Sequence, residues 1–79
     1  YPNPFNNNTI FHFYISRYSD VTLQIYNLQG QQVFSMYRDG LVAGIHKISY
    51  SPQNLSTGVY IYRIKTELGS QNGKFLLLK

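Results

Sequence analysis

The sequence predicts an all-β domain, an antiparallel β-sandwich of about seven short strands, six at the least. Apolar and polar residues alternate along most of the chain, and turn-forming residues interrupt this pattern at short intervals. No stretch has the 3.6-residue periodicity of an amphipathic helix. Because a single sheet of such strands would leave one apolar face in water, we expect two packed sheets.

The first two strands are predicted from apolar residues at every second position, which places them on one face of a strand. In the first strand these residues are Phe11, Phe13 and Ile15. After a polar break at 16–20, the second strand repeats the pattern with Val21, Leu23 and Ile25.

Turn residues at 27–30 predict a hairpin between the second strand and a third. The third strand passes through Val33, Phe34 and Met36. A second connection is expected between Asp39-Gly40 and Gly44. In the fourth strand, one face consists of His46, Ile48 and Tyr50.

The run 59–64 is the densest in β-branched and aromatic residues and predicts a central strand buried on both faces. Tyr60, Tyr62 and Ile64 are expected to point into the core, where a tyrosine hydroxyl needs a backbone partner. Gly58, just before this strand, is expected to have a positive φ. The last turn is predicted at Gly69–Gly73, followed by a final strand through 75–78.

The composition limits the class of protein. A chain of 79 residues without cysteine forms one small domain with no disulfide to stabilise it. The net charge of +4 comes from scattered basic residues rather than a basic face, so no nucleic-acid partner is expected. No apolar run is long enough for a membrane helix, so no direct membrane insertion is expected.

The first residues indicate an extended lead-in at 1–8 that follows an upstream domain. Pro2 and Pro4 fix φ and remove backbone donors, which disfavours both helix and sheet. The segment lacks the basic and apolar regions of a signal peptide, and the chain does not begin with Met. We therefore read the chain as a fragment of a larger protein, with residues 1–79 as a single domain.

No catalytic, cofactor-binding or metal site is predicted. Asp20, Asp39 and Glu67 lie in or beside predicted turns without forming an acid–base pair. His12 and His46 are too few ligands for zinc. Calcium would find oxygen ligands at 3–8 but no carboxylate there. Exposed aromatic residues could bind sugar or single-stranded nucleic acid, although β-propensity alone explains Tyr14, Tyr18, Tyr26 and Tyr37.

Five segments, taken in order, resemble the type A C-terminal sorting domain of the type IX secretion system. They are Tyr1-Pro2-Asn3-Pro4-Phe5-Asn6, Val21–Asn27 with Gly30, Ala43–His46, Leu55–Ile64 and Lys74–Lys79. Each segment alone is a weak signal, but together they span the whole chain. The resemblance implies an immunoglobulin-like sandwich, similar also to the immunoglobulin-like module of the flagellar hook-capping protein.

The same resemblance implies a non-catalytic address tag at the C-terminus of a larger exported protein of Bacteroidetes. The implied partners are the outer-membrane translocon, a sortase-like peptidase that removes the domain, and the passenger in the same chain. The passenger would cross the periplasm and end at the cell surface or outside the cell. Any enzymatic activity would belong to the passenger.

Family positions carry over onto particular residues. The domain entrance corresponds to Pro2, Asn3 and Pro4. The Gly-x-Tyr motif corresponds to Gly58 and Tyr60, and the basic-bounded terminal strand to Lys74, Phe75, Leu77 and Lys79. We expect the segment from Lys74 to Lys79 to form an edge strand read by the translocon.

A second interpretation stays open at this point. The chain could be a generic immunoglobulin-like or fibronectin-like accessory module, or a carbohydrate-binding module, of a secreted hydrolase. An accessory module can stand anywhere in its parent protein, whereas a sorting domain must end it.

Overall fold

The computed structural model describes residues 8–79, which form six β-strands and contain no helix. The strands are β1 Thr9–Ile15, β2 Ser19–Tyr26, β3 Gln32–Leu41, β4 Gly44–Tyr50, β5 Gly58–Thr66 and β6 Gly69–Leu77. The predicted lead-in at 1–8 lies outside the described residues except for Asn8. Within this part of the chain, no helix is long and apolar enough to cross a bilayer.

The strands form two antiparallel sheets, which confirms the predicted all-β architecture with six strands rather than seven. One sheet has two strands in the order β1-β4, and the other has four in the order β3-β2-β5-β6. Rings on the facing sides of the two sheets meet, since the Phe11 and Phe75 centroids lie 5.2 Å apart and those of Phe34 and Tyr50 lie 4.5 Å apart. The small sheet therefore packs over the inner face of the large one.

The core consists of the alternate residues that the sequence pattern assigns to inner faces. Leu23 and Ile25 on β2 are fully buried because β2 has a neighbouring strand on each side and the small sheet in front. The other buried apolar side chains are Phe11, Phe13, Ile15, Val21, Ile48, Tyr50, Tyr60, Ile64 and Leu77. The inward faces predicted for the first two strands are thus confirmed.

The predicted hairpin between β2 and β3 is present, and Asn27 organises its turn. The Asn27 Oδ1 atom accepts the backbone N–H groups of Gln29 and Gln31, both at 3.0 Å. Gly30 adopts a φ of 86°, a left-handed conformation that favours glycine. The Asn27 side chain accepts hydrogen bonds in the way that a backbone carbonyl does in a turn, which explains why asparagine begins the turn between β2 and β3.

Two predicted connections lie elsewhere. Strand β3 continues through Asp39 and Gly40 to Leu41, so the connection to β4 is shorter than predicted. The last turn lies at Glu67–Leu68, whereas Gly69–Gly73 belongs to β6 and pairs with β5. The polar and glycine residues of this segment are typical of a turn, which explains the wrong prediction. They can form a strand here because an edge strand does not need apolar side chains on both faces.

Strand β5 is central, as predicted, because it pairs with both β2 and β6. The prediction that it is buried on both faces is wrong. Tyr60 and Ile64 are buried on the inner face, but Arg63 is exposed and Val59 keeps 41% of its surface on the outer face. The small sheet covers only the inner face of the large sheet, so the outer side of β5 remains accessible.

Candidate recognition site

The two motifs that the sequence singled out lie side by side on β5 and β6. In the antiparallel register, Gly58 is opposite Leu77 and Tyr60 is opposite Phe75. The two pairs therefore form one structural unit although their members are far apart in the chain, because antiparallel pairing brings the start of β5 to the end of β6.

The inward-facing members of this unit are packed into the core. Leu77 keeps 1% of its surface accessible and Tyr60 keeps 6%. The Tyr60 and Phe75 rings pack with centroids 5.9 Å apart at an angle of 31°. These side chains hold the last strand in place, and a partner protein at the surface would not reach them.

Three hydrogen bonds join the connection between β4 and β5 to its surroundings, one from Tyr60 on β5 and two from Lys79 at the end of the chain, and we call this group the terminal clasp. The Tyr60 hydroxyl donates to the Ser56 carbonyl at 2.8 Å, which confirms the expected backbone partner of a buried tyrosine. The Lys79 backbone N–H donates to Thr57 Oγ1 at 3.0 Å, and Lys79 Nζ donates to the Gln53 carbonyl at 3.1 Å. The terminal clasp fixes the direction in which β6 ends.

The outward-facing residues of β6 form a basic and apolar surface beside the edge of the large sheet. Lys74 is exposed on this face, and Leu76 keeps 58% of its surface accessible. The neighbouring strand β5 contributes the exposed cations Arg63 and Lys65, which lie opposite Asn72 and Ser70 of β6. Strand β6 pairs only with β5, so it is an edge strand as predicted, but it ends at Leu77, and Leu78 and Lys79 of the predicted segment lie beyond it.

The expectation of a positive φ at Gly58 is wrong. Positive φ values occur at Gly30, Gly40, Gly44 and Gly69, but not at Gly58. A Cβ atom placed on Gly58 would meet the Tyr60 ring at 3.9 Å, an ordinary van der Waals distance. Because Gly58 opens a regular strand that pairs with β6, its backbone needs no left-handed conformation.

The entrance motif Pro2, Asn3 and Pro4 lies outside the described residues, but Asn8 shows how the chain enters the fold. The Asn8 Oδ1 atom accepts hydrogen bonds from the Ser49 hydroxyl at 2.9 Å and the Ser51 hydroxyl at 2.7 Å. These bonds tie the beginning of β1 to the end of β4.

The structure brings together two acids that the sequence had left unpaired. Asp20 accepts the Gly40 N–H at 2.9 Å and the Tyr37 hydroxyl at 2.8 Å. These two hydrogen bonds, and a third from Asp39, lower the pKa of Asp20 below its ordinary value. The hydrogen bond to Asp20 and the charge of that residue raise the pKa of Asp39. The pair lies on an exposed corner where it fixes β3 against β2.

The two histidines have structural surroundings. His46 Nε2 donates to the Val42 carbonyl at 2.6 Å, and its ring stacks on Phe13 with centroids 5.8 Å apart. His12 is exposed on β1, opposite Lys47. Among residues 8–79, no three His, Cys, Asp or Glu side chains are grouped in a way that could hold a metal ion.

The four tyrosines considered as a ligand platform do not lie together. Tyr14 is exposed on the outer face of the small sheet, whereas Tyr26 and Tyr37 belong to the large sheet on the other side of the sandwich. Tyr18 packs its ring against Gly40. Stacking platforms need neighbouring ring faces, so this arrangement gives the carbohydrate interpretation no support.

Sequence reasoning missed the polar half of the terminal clasp, formed by Gln53, Ser56 and Thr57. It assigned these residues only to the end of one strand and the approach to the next. It also missed the outward orientation of Leu76, because residues 75–78 are all apolar and show no alternation that separates the two faces of the strand.

Comparison with known families gives a match over nearly the whole chain. The family model described as secretion system C-terminal sorting domain matches residues 1–78. Comparisons with curated proteins and with solved structures gave no significant match. The family match does not support the alternative of a carbohydrate-binding accessory module.

The match defines the role of the domain. It is a C-terminal sorting signal of the type IX secretion system, and such a signal is not itself catalytic. It implies export to the cell surface or outside the cell. The chain therefore belongs to the family of secretion system C-terminal sorting domains.

Proposed function

We propose that residues 1–79 act as one sorting unit whose Lys74–Lys79 segment is contacted by the outer-membrane translocon of the type IX system. The passenger is joined on the N-terminal side of this unit. A sortase-like peptidase then cuts at or upstream of Tyr1, and the passenger is released or attached to the surface lipopolysaccharide.

The position of the Lys74–Lys79 segment carries this proposal. A sorting signal must present a surface that the machinery can reach, and this segment lies at the edge of the large sheet. Leu77 anchors the segment in the core, while Lys74 and Leu76 face outward. The residues of the family motifs thus have two roles. Some position the strand, namely Gly58, Tyr60, Phe75 and Leu77. Others, such as Lys74, are exposed and can contact a partner.

Secretion of a fused reporter tests the function. The whole chain is joined to the C-terminus of a fluorescent protein that carries a general export signal, in a bacterium with a type IX system. We expect the reporter in the medium or on the cell surface, and in the periplasm of a strain that lacks the translocon. A reporter that stays in the periplasm of the complete strain would contradict the proposed function.

Deleting residues 74–79 removes the contact segment but also removes the buried Leu77, so lost secretion would have two explanations. The charge reversals Lys74→Glu and Lys79→Glu keep the apolar anchor. Lys47→Glu is the matched control, because Lys47 is exposed on the outer face of the small sheet. We expect both terminal variants to reduce secretion, whereas Lys47→Glu should be secreted like the parent. All three variants should keep melting temperatures close to the parent value, because the Lys79 Nζ bond to Gln53 that Lys79→Glu removes is exposed to solvent.

Unchanged secretion of the Lys74 and Lys79 variants would reject these residues as contacts. The proposed function itself would then still stand, because it depends on secretion by the whole chain.

A further inference from the structure

The two edges of the large sheet differ in how open they are to another strand. Strand β3, at one edge, has register irregularities against β2 near Ser19 and near Ile25. It also contains Arg38, Asp39 and the left-handed Gly40. Bulges and charges of this kind are the usual means by which proteins prevent edge-to-edge pairing.

Strand β6, at the other edge, has little of this protection. Its nine residues pair with β5 in an uninterrupted register from Gly69 to Leu77. It contains no proline, and Lys74 is its one charged residue. Because β6 pairs with β5 alone, every second residue directs its backbone N–H and C=O groups away from the sheet.

This open edge is also held in a fixed shape. Leu77 is buried at its end, and the terminal clasp fastens Lys79 to the connection before β5. An edge that is already ordered loses little conformational entropy when a partner binds.

The side chains beside the edge limit which residue types an added partner strand can have. On the outer face, Lys74 lies on β6 opposite Ile61, and the cations Arg63 and Lys65 follow on β5 opposite Asn72 and Ser70. The exposed Leu76 continues this row toward the end of the strand. An incoming strand would therefore match this edge with an acidic side chain beside Lys74 and an apolar one beside Leu76.

The inner side of the edge offers a second feature. An open cavity of about 240 Å³ lies between β1 and the first half of β6, beside Gly69, Ser70 and Gln71. Phe13, Ile15 and Ile64 contribute apolar walls. When a peptide adds to a sheet edge, its alternate side chains enter pockets of this kind and supply specificity.

We propose that the export machinery recognises this domain by strand addition, with an extended segment carrying an acidic side chain pairing along the free edge of β6. The inference rests on the proposed function, and it specifies the mode of contact and the chemistry of the partner segment. Main-chain hydrogen bonds supply affinity in this mode, while the acidic residue beside Lys74 and the cavity beside Gln71 supply specificity.

A pair of proline variants tests the backbone contact. Adjacent residues of a strand send their N–H groups in opposite directions. Of Gln71→Pro and Asn72→Pro, one therefore removes a bond to β5, and the other removes an N–H at the free edge. Each proline variant is compared with alanine at the same position, because Gln71 lines the cavity and Asn72 Oδ1 accepts a hydrogen bond from Arg63. Thermal melting of the purified domains identifies the variant that keeps its stability.

Secretion of the reporter fusion is then measured for the stable proline variant. We expect it to fall by about tenfold or more, because the partner strand can no longer pair. Parental secretion by the stable variant would overturn strand addition, while secretion by the unchanged chain would still uphold the proposed function. If the unchanged chain is not secreted, both strand addition and the proposed function are contradicted.

Photo-crosslinking separates an edge contact from a contact with the outer face, and it gives a result even if both proline variants unfold. A crosslinking residue is placed at Gln71 on the inner side of β6, at Asn72 on its outer side, or at Lys65 on β5. Strand addition predicts that positions 71 and 72 both capture one segment of the outer-membrane machinery, and that this segment contains Asp or Glu. Capture from positions 72 and 65 without 71 would mean face docking, and it would overturn the proposal, as would a captured segment without acidic residues.

Sedimentation of the purified domain tests the remaining occupant of the edge, a second copy of the chain. We expect a monomer at micromolar concentration. A dimer that the stable proline variant abolishes would assign the edge to self-association and overturn the proposal.

Discussion

The Tyr62 ring lies directly against Gly73, its cross-strand partner on β6. A Cβ atom at Gly73 would stand 2.6 Å from the Tyr62 hydroxyl oxygen and 2.7 Å from the ring carbon that bears it. The ring also packs edge-on against Phe11, with centroids 5.0 Å apart. Glycine at position 73 therefore makes room for an aromatic side chain that covers the inner face of the edge strand.

Gly73→Ala should destabilise the domain by about 1–3 kcal/mol, because the new methyl group displaces a packed ring. Chemical denaturation measures this change. The control is a double-mutant cycle with Tyr62→Ala, in which the ring is absent and alanine at position 73 should cost much less. An equal cost in both backgrounds would show that the Tyr62 contact is not the reason for glycine at this position.

The terminal clasp gives a second prediction. Tyr60→Phe removes the donor to the Ser56 carbonyl and keeps the buried ring. We expect a loss of about 1 kcal/mol in the free energy of unfolding, the usual effect of removing one partner of a part-buried hydrogen bond. Tyr14→Phe is the matched control, since Tyr14 keeps 66% of its surface accessible. Equal stabilities for the two variants would mean that the Tyr60 hydroxyl bond to Ser56 does not stabilise the fold.

Strand existence could be predicted from the sequence wherever one face of a strand is buried. The alternation at Val21, Leu23 and Ile25 placed β2 correctly, because every second residue of that strand lies in the core. The same reasoning failed for Gly69–Gly73. This segment is at the edge of the sheet, where solvent and the free edge impose no apolar pattern, so its composition resembles that of a turn.

The candidate site could be predicted in part. The continuous apolar run at 75–78 predicts a strand but not which of its residues face inward, and the structure buries Leu77 while Leu76 stays exposed. The contacts of Lys79 with Gln53 and Thr57 span 26 and 22 positions in the chain, and no local pattern specifies such distant pairs. The meeting of Asp20 with Asp39 likewise depends on the register of β2 and β3, which side-chain alternation alone does not give at a bulge.

We expect that only glycine is tolerated without loss of stability at position 40, whereas position 58 accepts other small residues. Gly40 has a φ of 60°, and a Cβ atom there would collide with the Tyr18 ring. We expect Gly40→Ala to destabilise the domain by about 1–3 kcal/mol, because left-handed strain and the collision act together.

Gly58→Ala is the matched comparison and should change stability by about 0.5 kcal/mol or less, because the strand conformation and the surrounding space both accept a methyl group. Thermal melting of both variants checks the pair. The reverse order of stabilities would contradict the backbone geometry described for these two glycines.

The pair of Asp20 and Asp39 predicts a particular pH dependence of stability. The pKa of Asp20 is lowered in the folded state, so its contribution to stability is present above its ordinary pKa of 3.8 and is lost as the pH falls through the folded value. The pKa of Asp39 is raised in the folded state, so this residue opposes folding once the pH rises above that same ordinary value.

Asp39→Asn should therefore raise the melting temperature at neutral pH, because it removes the negative charge beside Asp20. Asp20→Asn should lower it, because the Gly40 N–H and the Tyr37 hydroxyl lose a charged acceptor. Below about pH 3, where both carboxyl groups are protonated in the unfolded chain, the stabilising effect of Asp39→Asn should disappear. Melting curves between pH 2.5 and pH 7 in low salt measure these effects, since salt screens exposed charges. A neutral-pH melting temperature that Asp39→Asn leaves unchanged or lowers would mean that the two carboxylates do not interact as the pair described here.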